Sequence, residues 1–154
     1  NFLIIDKGAK DGINEEMAVI TDRGIIGIVK SVSDHYASVI SILNQDLKIN
    51  VRLKKSAAFG TLSWEGINPI AFQVEDVVMN AKLEKGDTVI TGGMSSYFPL
   101  GIPLGKISEF ERDVQSGYYT ISTELFEDPS QVNYVYVIEN LDQKEINELK
   151  NEQP

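Results

Sequence analysis

The chain has 154 residues, 42% of them hydrophobic and 24% charged, enough for one compact domain or two small ones with real cores. Its net charge of −9 argues against a nucleic-acid-binding face, and the absence of cysteine excludes disulfides and thiolate metal sites. No apolar run reaches the roughly 18 residues of a membrane-spanning helix.

Short apolar or alternating runs, broken by turn residues, predict strands along most of the chain. In order they are Phe2–Ile5, Met17–Thr21, Gly24–Ser33, Ser38–Leu43, Ile49–Leu53, Phe59–Trp64, Ile70–Val74, Thr88–Thr91, Leu104–Phe110, Tyr118–Leu125 and Val132–Glu139. This spacing is that of an all-β barrel or sandwich. Within Tyr118–Leu125, residues Tyr119, Ile121 and Leu125 share one face, while Thr120, Ser122 and Glu124 share the other. The segment 141–154 is polar and reads as a disordered tail or a short helix.

The turns carry glycines at Gly8, Gly12, Gly24, Gly86, Gly92, Gly93, Gly101 and Gly105. Lys7-Gly8 and Asp11-Gly12 are expected to use the left-handed conformation that glycine tolerates. A pattern also repeats. Val19-Ile-Thr21, a turn and Gly24-Ile-Ile-Gly27 echo Val89-Ile-Thr91, a longer loop and Gly101-Ile-Pro-Leu-Gly105. Each copy follows a lysine-glycine turn, Lys7-Gly8 in one and Lys85-Gly86 in the other. A unit used twice predicts two related β-subdomains rather than one catalytic cleft.

The second copy inserts Met94, Tyr97, Phe98, Pro99 and Leu100 between glycines. Apolar loop residues of this kind either plug one end of their own barrel or face a partner protein.

Other chemistry is sparse. His35 is the only histidine, so a multi-histidine metal site is excluded. A serine-hydrolase reading would pair His35 with Ser95 or Ser96, but no nucleophile turn with an oxyanion hole surrounds either serine. Gly105-Lys106 is followed by Ile107, not a hydroxyl, so the glycines do not form a phosphate loop. A carbohydrate-binding β module could use Trp64 and Tyr97, although a lone tryptophan is more often core. No catalytic residue, metal or cofactor is expected.

Taken in order, Asn1–Ile13, Met17–Ile20, Gly24–Val29, Gly86–Gly93 and Phe98–Gly105 resemble the extracytoplasmic region of the MreC family of bacterial rod shape-determining proteins. The Phe98-Pro-Leu-Gly-Ile-Pro-Leu-Gly105 segment and the opening Lys7-Gly8…Asp11-Gly-Ile13 carry that resemblance together, and either alone would be weak. It implies two small six-stranded barrels of trypsin-like topology without catalysis. Residues 1–50 plus about 115–140 would form the first and 51–114 the second. It also implies a periplasmic scaffold for peptidoglycan elongation, with the elongation-specific penicillin-binding transpeptidase, RodA, MreD and MreB as partners, self-association, and a membrane anchor upstream of Asn1.

Overall fold

The structure is a computed structural model and describes residues 2–94 and 97–152. In chain order the strands are β1 (Phe2–Ile5), β2 (Ala18–Thr21), β3 (Gly24–Val32), β4 (Ala37–Ser41), β5 (Ile49–Leu53), β6 (Phe59–Trp64), β7 (Ala71–Val78), β8 (Thr88–Thr91), β9 (Pro103–Asp113), β10 (Tyr118–Leu125) and β11 (Tyr136–Ile138). One helix, α1 (Gln143–Glu152), follows them, so residues 143–152 of the polar segment are helical rather than disordered. Asn140 opens the helix, its side-chain oxygen accepting from Asp142 N at 3.1 Å. Gln143 ties the helix back by donating to Glu16 O at 3.1 Å.

The strands form two antiparallel units. Six of them close a barrel in the order β10-β7-β6-β5-β8-β9, sealed by the β9–β10 pair. Five form a sheet in the order β1-β4-β3-β2-β11. The expected pair of six-stranded barrels is thus one closed barrel and one five-stranded sheet, with β1 and β11 as its edges. No described strand joins those edges. The segment before β11 runs as turns around Asp128-Pro129, where proline lacks the N–H that a ladder needs. A second correction concerns β10, which the resemblance grouped with the first unit. It pairs along both sides within the barrel and turns Tyr119, Ile121, Thr123 and Leu125 inward.

Burial explains the apolar run in β3. Its residues 24–29 are all buried, as expected of a central strand covered on both faces. Ile25 and Ile28, with Ala18 and Ile42, pack into the same cluster as the barrel residues Leu62, Val74 and Leu104. Ile26 and Val29 turn the other way, onto Val19, Val39 and Ile13. One hydrophobic core therefore runs from the sheet into the barrel.

The sequence repeat is a structural repeat built on a bulge. β2 and β3 pair as Val19↔Gly27 and then Ile20↔Ile25, leaving Ile26 as the extra residue. β8 and β9 pair as Val89↔Gly105 and then Ile90↔Pro103, leaving Leu104. Both extra residues are fully buried. The glycine beside each bulge is needed for space. A Cβ on Gly27 would collide with the Ile40 carbonyl of β4, and one on Gly105 would stand 2.6 Å from the Glu124 carbonyl of β10.

The entry to each copy matches as well, though not through the lysine-glycine turns. Glu16 N donates to Val29 O at 2.8 Å and Val29 N to Met17 O at 2.9 Å. Gly86 N donates to Ile107 O at 2.8 Å and Ile107 N to Asp87 O at 2.9 Å. Glu16 is therefore the counterpart of Gly86, and their φ values are 70° and 90°. Gly8 is extended, contrary to expectation, with φ −145°. Its constraint is room, because a Cβ there would meet the Tyr36 backbone nitrogen at 2.6 Å. Since Glu16 occupies a left-handed conformation unfavourable to side chains, Glu16→Gly is expected to stabilise the fold by about 0.5–1 kcal/mol, read as a raised urea midpoint.

Candidate interaction surface

The inserted loop leaves β8 at Thr91 and returns at Ile102, and its ends are fixed by hydrogen bonds. Thr91 Oγ1 donates to Pro99 O at 2.6 Å and accepts from Ile102 N at 2.8 Å. Gly101 N donates to Thr91 O at 3.0 Å. On the other side, Asn50 receives the loop: its carbonyl accepts from Gly92 N at 3.0 Å, and its side-chain oxygen accepts from Met94 N at 3.2 Å. Gly92 lies so close to that side chain that a Cβ would collide with it.

Within this frame the five candidate residues separate by role. Phe98 is 1% exposed and is the bulkiest of the fully buried side chains among the described residues. Tyr97 is half-buried against the same barrel cluster, and Pro99 is half-buried beside it. Of the two expectations for the loop, the plug holds for Phe98 and the partner-facing one is corrected there: the ring fills the core. Met94 and Leu100 are 60% and 56% exposed. Leu100 lies over Gly93, whose φ of 78° turns the chain beneath it. The loop thus anchors an aromatic inward and holds two flexible aliphatic side chains outward.

The remaining candidates do not assemble. Gly12, Gly93 and Gly101 take positive φ, while Gly24 opens β3 opposite Thr21. His35 is exposed in the β3–β4 turn, and its neighbour Asp34 faces Lys10 at 3.9 Å. Ser95 and Ser96 lie outside the described residues. Trp64 stacks on Phe72 at 6.5 Å between ring centres and donates from Nε1 to Asn68 O at 2.9 Å, so it is a half-buried part of the barrel wall. Among the described residues no group of three or more metal-ligating side chains comes together.

A second apolar surface escaped the sequence reading. Phe2, Ile4, Tyr134 and Tyr136 are 58%, 69%, 89% and 63% exposed, on the two edge strands of the five-stranded sheet and, for Tyr134, in the segment leading into β11. The alternation Tyr134-Val-Tyr-Val137 was the available signal: Val135 and Val137 pack inward while the tyrosines are exposed.

Comparison with known proteins gives a consistent result. The family model described as rod shape-determining protein MreC, barrel core, matches residues 1–139. The cell shape-determining protein MreC of Listeria monocytogenes is 31% identical over 137 residues, covering 87% of this chain and 46% of that protein. The chain spans less than half the length of the Listeria monocytogenes and Escherichia coli relatives, 46% and 41%. A solved MreC structure from the same Listeria species superposes with a TM-score of 0.82 at 27% identity, covering 90% of this chain and 68% of the other. A solved complex between Penicillin-Binding Protein (PBP2) and MreC from Helicobacter pylori matches with a TM-score of 0.64 at 17% identity, covering 81% of this chain and 79% of the other.

Proposed function

The chain belongs to the MreC family of rod shape-determining proteins, and from that premise we propose that it is a non-catalytic scaffold for cell shape and lateral cell-wall elongation. The observation that carries this reading is the family match over residues 1–139. The loop supports it, because it spends its aromatic on folding and presents Met94 and Leu100 to solvent. An adaptable methionine and an exposed leucine on a hydrogen-bonded frame offer a partner protein an apolar contact surface.

The partner we favour for this surface is the elongation-specific penicillin-binding transpeptidase, because a fold relative is known in complex with a penicillin-binding protein. RodA, MreD and MreB, and self-association, belong to the same proposal. So does an extracytoplasmic position beside the membrane that anchors the whole protein. We further take the two units as the working halves of the scaffold, the first functioning as a six-stranded barrel when assembled.

Met94→Asp combined with Leu100→Asp tests the loop. Both positions are solvent-exposed, so stability should change by no more than about 0.5 kcal/mol. Binding to the purified transpeptidase should weaken at least about tenfold, the scale of losing one interface anchor. Unchanged affinity in a folded variant would remove the loop from the interface.

A further inference from the structure

The outer wall of the closed barrel carries an arginine that its own chain does not pair. Alternation along β5 sends Val51 and Leu53 into the core and turns Asn50 and Arg52 outward. Arg52 stands opposite Phe59 of β6 on one side and Ile90 of β8 on the other. Ile90 in turn stands opposite Pro103 of β9. Register thus draws a stripe of Phe59, Arg52, Ile90 and Pro103 across four strands. Phe59 and Pro103 are exposed. Ile90 is buried yet belongs to neither hydrophobic cluster, so it is covered on the outer face.

Arg52 is half-buried, and its Cζ lies 6.0 Å from the centre of the Phe59 ring, which holds the guanidinium by its face. Its Nε is buried without a hydrogen-bond acceptor, and among the described residues no carboxylate forms an ion pair with it. β5, β6 and β8 contain no acidic residue at all. The chain has 23 acidic residues against 14 basic ones, so a carboxylate-free patch around an arginine runs against its composition. The patch also adjoins the inserted loop. Asn50, one step along the same face of β5, accepts from Met94 N. That step is about 7 Å, and a standard interface covers about 800 Å² on each partner, enough to take in the stripe with Met94 and Leu100.

We propose that Arg52 receives a carboxylate of the partner protein that docks on Met94 and Leu100, an aspartate or glutamate flanked by apolar residues that lie on Phe59 and Pro103. This deepens the scaffold reading and rests on it. The planar guanidinium fork matches the two oxygens of a carboxylate, and arginine beside an aromatic ring is a common anchor of protein interfaces. A single carboxylate in apolar surroundings fits better than a run of acids, because the chain as a whole carries a net charge of −9 and repels an acidic surface. A second copy of this chain fits less well for the same reason.

The affinity of the purified transpeptidase for Arg52→Met, Arg52→Lys and Arg52→Glu, beside the parent chain, tests it. Arg52→Met keeps an apolar stem and removes the charge. It should weaken binding at least about tenfold and flatten the salt dependence, with a urea midpoint no lower than the parent's. Arg52→Lys keeps the charge without the fork and should recover part of the loss, while Arg52→Glu should bind more weakly than Arg52→Met. Unchanged affinity in Arg52→Met, with binding lost in Met94→Asp combined with Leu100→Asp, overturns this proposal and leaves the loop in the interface. The reverse pattern supports the arginine and removes the loop. A parent chain that does not bind the transpeptidase overturns both. A fall in the urea midpoint of Arg52→Met large enough to explain lost binding makes the residue structural and overturns the proposal. Loss of self-association in Arg52→Met with transpeptidase binding unchanged assigns the stripe to a second copy, which overturns it too.

Discussion

Phe98→Ala should lower the free energy of unfolding by about 3–5 kcal/mol, measured by urea denaturation. Phe98 comes from a loop, where truncation is ordinarily mild. Here the ring lies among Leu53, Val89 and Leu104 in the continuous core, and the loop's hydrogen bonds to Thr91 and Asn50 leave little freedom to collapse around a cavity. Against a typical total stability of about 5–15 kcal/mol, such a loss is a substantial part of the whole. The same variant should show any partner-binding defect only in proportion to its unfolded fraction, whereas Met94→Asp with Leu100→Asp should lose binding while folded. A Phe98→Ala protein as stable as the parent would mean that the ring is not the plug.

The second large effect is expected at the bulge glycines. Gly27→Ala should cost about 3 kcal/mol, near the upper end for forced overpacking, because the new methyl group meets the main chain of β4. Backbone cannot rotate aside as a flexible side chain can. β4 is hydrogen-bonded on both sides, to β3 and to β1, so a shift there disturbs two ladders. Gly105→Ala should cost less, about 2 kcal/mol, since its nearest carbonyl stands farther off. Thermal or urea unfolding of the two variants compares them directly. If Gly27→Ala is neutral, the bulge register is wrong.

Much of this architecture was legible in the sequence because strand signals are local. Phe2–Ile5, Ile49–Leu53, Phe59–Trp64, Thr88–Thr91 and Tyr118–Leu125 have the bounds that alternation and flanking turns predict. Strand membership was less legible. Which sheet takes β10 depends on pairing with β7 and β9, a long-range matter that the period of a strand does not encode. The repeat was visible as Val-Ile-Thr and glycine, yet its entry was misaligned, because Gly86 drew the eye to Gly8 when the structural match is Glu16. An acidic residue in a left-handed conformation leaves no mark in composition. The apolar loop presented the same difficulty, since Met94, Phe98 and Leu100 are chemically alike and only packing separates the plug from the display.

The order in which the chain emerges during synthesis bears on the five-stranded sheet. The barrel is contiguous, from Ile49 to Leu125, and all its strands are available once β10 has been made. The sheet is not: β1 to β4 are made first, yet Ala18 must wait for Ile138 before its outer edge is paired. Long-range pairing is slow, and an uncovered edge is exposed to wrong partners meanwhile. The early strands therefore pass through a period as an incomplete sheet beside a finished barrel. The shared core offers Ile25 and Ile28 a surface to rest on until β11 arrives.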